Sequence, residues 1–441
     1  MNTKTLVLIL CGVSLFLAGG CSKKNASQKS SDTIKVKVAL TGPFEENVIV
    51  TGMLDKWQQE HPGISVAVDY VPEYYSDKIL TEIAADAAPD IIYCDDRIYT
   101  PFFFKDVFLD LSPFIENDKS FNIKRFYPET VKRFASSRKQ YCLPAGSRSG
   151  GAVFYNKTMF KKSGAALPDD NWNVLAFLET AKKLTSDNRG RHPGEPAFNP
   201  GKIQVYGYAG RVWENFVYCF DGRFVDHWDD PARCLLGEKA AVAGMQFAVD
   251  LSYRQHVSPE QGAFTGGTAR DRELFVSGKL GMFQAGTGEI PGLRKDIGDR
   301  FEWDMTIFPK GPTGGRGFKT DVSGYAIYQM TNHPKEAWEV LKCLTDEAGQ
   351  EMLADAGFMH PSDIAVAQGP HWAGNASSPA NKKALNDAVK YSIYEPFHQM
   401  WREAWDRNGA PRIEQILSGK MPVQQGLEDI AADMNKFLRH K

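Results

Sequence analysis

The chain has 441 residues, of which 42% are hydrophobic and 12% aromatic, so it is long and apolar enough to bury a sizeable core. Its 52 lysines and arginines nearly balance its 54 aspartates and glutamates, which leaves a formal net charge of -2 at pH 7. A chain this close to neutral has no excess of basic residues for nucleic acid or an anionic surface, and we expect neither as a partner.

The N-terminus predicts export. Leu6 to Leu17 contains no charged residue and follows a lysine, which is the layout of a signal peptide. The run is too short to span a bilayer comfortably, because spanning takes roughly 20 apolar residues. The segment Leu17-Ala18-Gly19-Gly20-Cys21 resembles the processing box of bacterial lipoproteins, although Ala18 stands where leucine is usual. The resemblance implies that residues 1–21 are a lipoprotein signal peptide with Cys21 as the lipidated residue; the alternative is an ordinary buried helix.

The residues after this box predict a tether and then two domains. Residues 22–33 are polar and lysine-bearing, a composition that cannot bury a core, so we expect a flexible tether. About 410 residues follow, more than one hydrophobic core usually supports. We therefore expect two domains outside the cytoplasm, in the periplasm or on the outer face of the cell membrane, with the membrane reached through the N-terminal lipid.

Hydrophobic periodicity predicts alternating strands and helices in the first part of the folded chain. Apolar residues recur at every second position in Ile34 to Leu40 and in Ile64 to Tyr70, which indicates strands. Val50 to Trp57 has helical spacing, and a second helix is expected with Ser76 as its cap. Ile91 to Cys94 is a third, fully apolar strand. The pattern predicts a βαβαβ unit with a parallel sheet, hence an α/β fold.

Three further elements are predicted later in the chain. Val205 to Ala209 and Leu280 to Phe283 have the composition of strands. Val423 to Leu438 is amphipathic at helical spacing, and Pro422 opens this helix.

Polar side chains follow two of the predicted parallel strands where the strands end. Ligands gather at the carboxyl ends of the strands in open parallel sheets. The carboxylates there are joined to an aromatic ring or a guanidinium, which suits a neutral polyhydroxylated ligand whose hydroxyls need donors and acceptors. The candidate binding residues are Phe44, Glu45, Asp95, Asp96 and Arg97.

The chain resembles a known family at several places. Ala88-Pro89-Asp90-Ile91-Ile92-Tyr93, with Asp96-Arg97 after it, is similar to extracellular solute-binding proteins of family 1, the sugar-binding proteins of ABC importers that include maltose-binding protein. Further matching sequence motifs follow in the family's order over nearly all of the chain. They are Tyr141 to Pro144, Phe154 to Lys157, Asn171-Trp172, Phe275 to Met282 and Ala337 to Leu344.

The resemblance implies a two-lobed periplasmic-binding-protein fold of type II, in which a hinge closes the lobes over a ligand. We place lobe one at residues 34–143 plus 286–322 and lobe two at residues 144–285 plus 323–441. The implied function is capture of a sugar or oligosaccharide and its delivery to a membrane permease. No chemistry is required, so we expect no catalytic residue, no cofactor and a monomer.

The resemblance also implies roles for individual residues. Asp96 and Arg97 match the family's acidic and arginine pair that binds sugar hydroxyls; the alternative for Asp95 to Arg97 is a solvated turn with a surface ion pair. Where maltose-binding protein has an acidic ligand contact, this sequence has Ser147 and Arg148. Arg148 is either a contact for a different, acidic sugar or an exposed turn residue.

The second lobe is expected to supply the aromatic side of the pocket. Trp213 and Trp401 stand where the family places stacking rings; the alternative is that both belong to the core. The turn after the Leu280 strand matches the family's glycine-rich crossing but lacks the tryptophan common there. The remaining candidates in this turn are therefore Thr287, Gly288 and Glu289.

An exported glycosidase is the competing class, because paired carboxylates in a sugar-sized cleft also suit acid-base hydrolysis. No motif of nucleophile and base stands out, and no histidine or cysteine spacing indicates a metal site. Within binding proteins, the alternatives to a sugar are a peptide or a polyamine, which would demand an unpaired charge in the cleft.

The cysteines leave the disulfide question open. Five remain after the lipidation box, in a compartment that is oxidising, and an odd number leaves at least one free thiol. Cys219 with Cys234, and Cys94 with Cys142, are the pairs to consider, and buried free thiols are the alternative for both.

Overall fold

The computed structural model describes residues 33–260 and 267–439. The predicted signal peptide, Cys21 and all but the last residue of the tether therefore lie outside the described residues. Within the described part of the chain, no helix is both long and apolar enough to cross a membrane.

The strands are two to ten residues long. In chain order they are β1 Ile34–Leu40, β2 Ile64–Tyr70, β3 Ile91–Cys94, β4 Ala135–Ser136, β5 Lys139–Gln140, β6 Leu143–Ser149, β7 Ala152–Asn156, β8 Ser186–Asp187, β9 Ile203–Gly210, β10 Leu280–Ala285, β11 Trp303–Ile307, β12 Phe318–Ile327, β13 His360–Pro361 and β14 Ser392–Ile393.

The helices connect these strands and extend beyond them to the C-terminus. They are α1 Phe44–Glu60, α2 Tyr75–Ala84, α3 Asp96–Phe103, α4 Ser112–Asn117, α5 Pro128–Arg133, α6 Lys157–Ser163, α7 Val174–Leu184, α8 Glu214–Cys219, α9 Lys239–Tyr253, α10 Gly267–Val276, α11 Ile290–Ile297, α12 Pro334–Leu344, α13 Glu347–Ala356, α14 Ile364–Gln368, α15 Ala384–Ala388, α16 Trp401–Ala404, α17 Ala410–Leu417 and α18 Val423–Leu438.

The first sheet organises one lobe. Its strand order is β13-β6-β12-β3-β1-β2, with β14 paired to the start of β12. The strand β1 is parallel to both β2 and β3, which confirms the predicted βαβαβ unit. The strand β12 runs antiparallel between β3 and β6. Because β1 and β3 point the same way, the segments after them meet at one edge of the sheet, as the sequence predicts.

The second sheet organises the other lobe, in the order β11-β7-β10-β9-β8. The strand β10 is parallel to β9 and antiparallel to β7. A separate buried cluster joins α8 and α9 to α16, α17 and α18 at the C-terminal end of the chain. The predicted amphipathic helix at Val423–Leu438 is confirmed, and its apolar face lies in this cluster.

Part of the predicted division into lobes is wrong. The strand Trp303–Ile307 pairs with β7 in the second sheet, whereas we assigned residues 286–322 to lobe one. The strand Phe318–Ile327 lies inside the first sheet, although residues 323–441 were assigned to lobe two. The strand Leu143–Ser149 also stays in the first sheet, beyond the predicted boundary at residue 143. Pairing with distant strands decides which sheet each of the three strands joins.

The chain crosses between the lobes at a pair of glycines between β6 and β7. A Cβ on Gly151 would lie 2.5 Å from the Cγ of the Phe318 ring, closer than packed atoms approach. The main-chain N–H of Gly150 donates to the carbonyl of Lys319 at 2.8 Å. The two chain segments that join the lobes therefore pack directly against each other.

Five cysteines in the described residues are free and buried. Neither candidate pair forms a disulfide in this structure. Cys94 and Cys142 lie on either side of β12 near Gly324, where an added Cβ would lie 2.8 Å from the Sγ of Cys142. Burial raises the pKa of the Cys142 thiol well above its usual value. Both sulfurs are fully enclosed, so these thiols behave as core atoms.

Candidate functional site

Asp95 fixes the start of α3 and the arginine beside it. Its Oδ1 accepts hydrogen bonds from the main-chain N–H groups of Arg97 and Ile98, at 2.9 and 3.1 Å, which caps the helix. Its Oδ2 accepts from Nη2 of Arg97 at 2.7 Å. The Asp95 side chain is buried, whereas 70% of the Arg97 side chain is exposed. Arg97 is therefore held in place at the carboxyl edge of the sheet and remains open to a ligand.

Asp96 is directed into the protein. Its Oδ1 accepts from Nε of Arg133 at 2.6 Å, and the Arg133 side chain is completely buried. Burial raises the pKa of Asp96, and Arg133 opposes that shift. The main-chain N–H of Asp96 donates to Oδ1 of Asp321 on β12 at 3.1 Å. Asp96 thus ties α3 to α5 and β12.

Asp321 is a second acidic group at the same place. Burial, followed by the charges of Asp96 and Asp95, raises the pKa of Asp321 to about 7. Its position on β12 puts it close to Arg97, whose pKa is raised mainly by Asp95 and also by Asp321. Acidic and basic groups therefore alternate along the edge of lobe one.

Arg148 on β6 spans three elements of lobe one. Its Nη1 donates to the hydroxyl of Ser323 at 2.8 Å and to that of Tyr93 at 3.3 Å. Its Nη2 donates to Oε2 of Glu46 on α1 at 2.5 Å. A Cβ on Gly288 would lie 3.6 Å from the Cδ of Arg148, so the turn after β10 lies against this side chain. The partly buried Arg148 side chain therefore holds these elements together at the crossing between lobes.

Two ion pairs face these residues from the other side. Nζ of Lys319 lies 3.1 Å from Oε1 of Glu214 on α8, and Nη2 of Arg402 lies 2.9 Å from Oε2 of Glu395. Burial raises the pKa of Glu395, and the charges of Arg402 and Lys319 oppose that shift. Each carboxylate here has a cation next to it, so the charges compensate one another.

Four aromatic rings form a continuous stack beside these ion pairs. The ring of Trp213 lies 5.4 Å from that of Phe224, and Phe224 lies 5.6 Å from Trp405. Trp405 in turn lies 5.8 Å from Trp401, with only 13° between the ring planes. The two tryptophans predicted from the sequence therefore belong to one stack, although both are largely buried.

A cavity of about 350 Å³ adjoins the stack. Tyr218, Phe224, Trp228 and Tyr394 give it aromatic walls. A smaller cavity shares Tyr218, Phe224 and Tyr394 with it and reaches Trp401 and the two ion pairs. The volume of the larger cavity is at the lower end of the range for small-molecule sites, which is about 300 to 1,000 Å³. Aromatic faces thus line both cavities, and the paired polar groups line the smaller one.

Of the residues predicted from the sequence, Trp401 lines the smaller cavity and none lines the larger one. Phe44 and Glu45 are exposed at the start of α1, where the Phe44 ring lies 6.1 Å from that of Tyr70. Thr287 is fully buried. Glu289 pairs with Arg272 at 3.1 Å, and burial raises the pKa of its carboxyl group. The structure therefore brings together two subsets of the predicted residues: Asp95, Asp96, Arg97 and Arg148 on lobe one, and Trp213 and Trp401 on lobe two.

Sequence reasoning missed the groups that connect these two subsets. Lys319 and Asp321 are two positions apart on an otherwise apolar strand, so they share one face of β12, and that charged interruption was a readable signal. Glu214, Phe224 and Glu395 carry no comparable signal, because only the packing of distant segments brings them to the cavity. Within residues 33–260 and 267–439, no group of three or more His, Cys, Asp or Glu side chains has the arrangement of a metal site.

Comparison with proteins of known structure shows the fold. The chain aligns with an ABC substrate-binding protein from Listeria monocytogenes in complex with cycloalternan, with a TM-score of 0.77, 19% identity, and 93% and 100% of the two chains covered. It aligns with maltose-bound MalE3 of T. maritima with a TM-score of 0.73, 20% identity, and 92% and 100% coverage. The two-lobed α/β architecture is therefore that of sugar-binding proteins of ABC transporters.

Sequence comparison points the same way. A multiple sugar-binding protein of Streptococcus mutans is 22% identical over 358 residues, which cover 79% of this chain and 80% of the relative. The family model described as bacterial extracellular solute-binding protein matches residues 39–351, which is most of the sequence. With the fold, the ring-walled cavity and the order of the sequence motifs in agreement, the chain belongs to the bacterial extracellular solute-binding protein family.

Proposed function

We propose that this protein captures a neutral sugar or short oligosaccharide between its two lobes and delivers it to the permease of an ABC importer. Its family and structural neighbours are binding proteins, and the family works outside the cytoplasm. The observation that carries the proposal is the cavity of about 350 Å³, which is walled by aromatic rings and adjoins a smaller cavity lined by the ion-paired carboxylates Glu214 and Glu395.

The chemistry of this cavity suits a sugar. Aromatic rings such as Tyr218 and Phe224 offer flat apolar faces on which the C–H faces of a pyranose can stack. Carboxylates such as those of Asp221 and Asp226 accept hydrogen bonds from hydroxyl groups, while the guanidinium groups of Arg223 and Arg316 donate them. A polyhydroxylated ring presents both features on one ligand: apolar faces for stacking and hydroxyl groups for hydrogen bonding.

Three paired carboxylates near the cavity count against a polyamine at these positions. Glu214 is paired with Lys319, Glu395 with Arg402, and Asp95 with Arg97. A polyamine would need carboxylates without such partners, because a buried charge is costly unless it is paired. Arg148, the residue that suggested an acidic sugar, already donates to Glu46, Ser323 and Tyr93. That engagement supports the neutral alternative.

The neighbours add to this support. One is named for a complex with cycloalternan and another for bound maltose, both of which are built from neutral sugar rings. The permease partner is inferred from the family, whose members with known sugar ligands serve ABC transporters.

We also propose that lipid on Cys21 anchors the protein to the membrane. The support is the sequence of the lipoprotein box. Metabolic labelling with a radioactive fatty acid tests it: label on the natural protein and none on Cys21→Ser is the expected result. Label that persists on Cys21→Ser would contradict the anchor.

A thermal-shift panel tests the ligand. A soluble form beginning at Ser22 is mixed with neutral and acidic saccharides, amino acids, peptides and polyamines. A ligand at about 100 times its dissociation constant stabilises the protein by roughly 2.7 kcal/mol, which raises the melting temperature measurably. A shift with one class of neutral saccharide is the expected result. A response confined to polyamines, peptides or acidic sugars would overturn the neutral-sugar proposal.

The matched variants are Arg97→Ala, at the edge of the cleft, and Trp57→Ala, which is on α1 away from it. Removing a charge-assisted hydrogen bond costs roughly 1.5 to 3 kcal/mol of binding, so Arg97→Ala should weaken affinity by at least tenfold. Calorimetric titration measures both variants. Equal affinity of Arg97→Ala and the natural protein would remove Arg97 from the site.

A further inference from the structure

Trp228 reaches from lobe two to lobe one. It lies in the segment between α8 and α9, and its carbonyl accepts from the main-chain N–H of Phe397 at 2.6 Å. The Lys132 ammonium lies 5.4 Å from the centre of its ring and the Arg133 guanidinium 5.8 Å, both on α5 of lobe one. Tyr394 meets the ring edge to face at 5.3 Å. Contacts from both lobes thus fix the position of this indole.

Trp228 lines two cavities. The inner one is the cavity of about 350 Å³ already described, and an outer one of about 440 Å³ lies beyond Trp228. Among the described residues that line them, Trp228 is common to both. Its neighbours divide accordingly: Asp226 lines the inner cavity, whereas His227 and Asp229 line the outer one.

The outer cavity also has the groups that a sugar needs. Ser136 and Ser137 supply hydroxyls, Arg138 supplies a guanidinium and Asp229 a carboxylate. Phe397 adds an aromatic face. Aromatic, guanidinium and carboxylate groups also line the inner cavity. The space beyond Trp228 is therefore chemically suited to further sugar units of the same oligosaccharide.

We infer that Trp228 sets the length of the saccharide that this protein accepts, by ending the inner cavity where a longer chain would continue into the outer one. This inference depends on the proposed sugar-binding function. Removing the ring joins the two spaces, whereas phenylalanine keeps much of the wall.

The test measures how affinity varies with chain length. Glucose-, mannose- and galactose-based linear oligosaccharides of increasing length are titrated by calorimetry into the natural protein, Trp228→Ala, Trp228→Phe and Trp57→Ala. The natural protein should gain affinity up to one length and then gain nothing. Trp228→Ala should go on gaining, with at least about a tenfold advantage for the next longer oligosaccharide. Trp228→Phe and Trp57→Ala should keep the natural limit.

The outcomes separate the two proposals. Failure of the natural protein to bind any saccharide overturns the sugar function, and the inference with it. Saccharide binding by the natural protein, combined with an unchanged length limit in folded Trp228→Ala, overturns the inference alone. If the alanine variant does not fold, Trp228→Leu replaces it, because leucine is smaller than indole but retains an apolar contact for Tyr394, and the same reading of the length profile applies.

Discussion

Arg148 and Glu46 show how a residue can look like a ligand contact and have a different role. Both side chains are largely enclosed, with 21% and 5% of their surfaces exposed. The sequence places Arg148 in a turn of serine and glycine, which is typical of a binding loop, and gives no hint of Glu46 as its partner. Their pairing depends on the approach of β6 to α1 in the folded sheet.

Arg148→Ala should therefore destabilise the protein. It leaves the Glu46 carboxylate buried with no cation, and breaking a buried pair in this way costs about 3 to 5 kcal/mol of unfolding free energy. Urea unfolding followed by circular dichroism measures it. The double variant Glu46→Gln with Arg148→Met is the control, and it should recover most of the loss. A single variant as stable as the natural protein would show that the pair contributes nothing.

Asp321 should make stability depend on pH. Its folded pKa of about 7 lies above the ordinary 3.8, because it is buried near Asp96 and Asp95, with Arg148 opposing the shift. Between these values the folded protein binds more protons than the unfolded chain, so stability falls as pH rises. The stabilisation is complete below about pH 4 and is lost as pH passes through about 7.

Asp321→Asn removes this titration, so its melting temperature should fall less than that of the natural protein between pH 5 and pH 8. Scanning calorimetry at fixed ionic strength measures both. Buried acids distant from Asp321 titrate equally in the two proteins and cancel in the comparison, whereas Glu395, whose pKa the charge of Asp321 helps to raise, does not. Parallel curves would mean that Asp321 ionises normally in the fold.

At the scale of elements, the local sequence pattern predicted several strands correctly but did not predict which strands pair with each other. The bounds of β1, β2 and β3 agree with the predicted segments to the residue. The cap of α2 was wrong: the helix starts at Tyr75, and Ser76 lies inside its first turn. The strand β11 was put in the wrong lobe and β12 was divided between the two lobes, because the composition of a strand does not identify its neighbour in a sheet.

The crossing between β6 and β7 should tolerate no side chain at Gly151. An alanine Cβ there would meet the Phe318 ring at 2.5 Å, and relieving such overpacking costs about 1 to 3 kcal/mol. Gly52→Ala is the matched control. No atom lies within 4 Å of a Cβ at Gly52, which is inside α1, so it should stabilise the protein by about 0.5 to 1 kcal/mol. Denaturant titration measures the change in unfolding free energy for both variants. A stabilised Gly151→Ala would contradict this account of the crossing.

At the scale of the whole molecule, residues on each lobe could be predicted separately, but their arrangement around a cavity could not. Strand order placed Asp95 to Arg97 at the carboxyl edge of the sheet, and the family resemblance named Trp213 and Trp401 as stacking rings without predicting that they share one stack. The direction in which Asp96 points could not be predicted, because its partner Arg133 lies 37 residues away and becomes a neighbour only after folding. The cavity itself forms from segments that are distant in the chain.

The two lobes should be in contact through Lys132 and Asp229. These side chains lie 3.3 Å apart and are 64% and 49% exposed, so the pair contributes at most about 1 kcal/mol. A zero-length carbodiimide reagent should join them, with the product identified by peptide mass spectrometry. Lys78 with Asp69, a pair within lobe one, is the positive control, and Asp229→Asn should abolish only the cross-link between lobes. A Lys78 product without a Lys132 product would show that the lobes stand apart in solution.

The stack of Trp213, Phe224, Trp405 and Trp401 makes the protein its own optical probe. Indole emission responds to the polarity around the ring, and Trp401 and Trp405 both line the smaller cavity. A solute that displaces water there changes that polarity without any attached dye. Ligand arrival can therefore be followed as a shift in intrinsic fluorescence, on the millisecond timescale of rapid mixing, while the protein remains chemically unmodified.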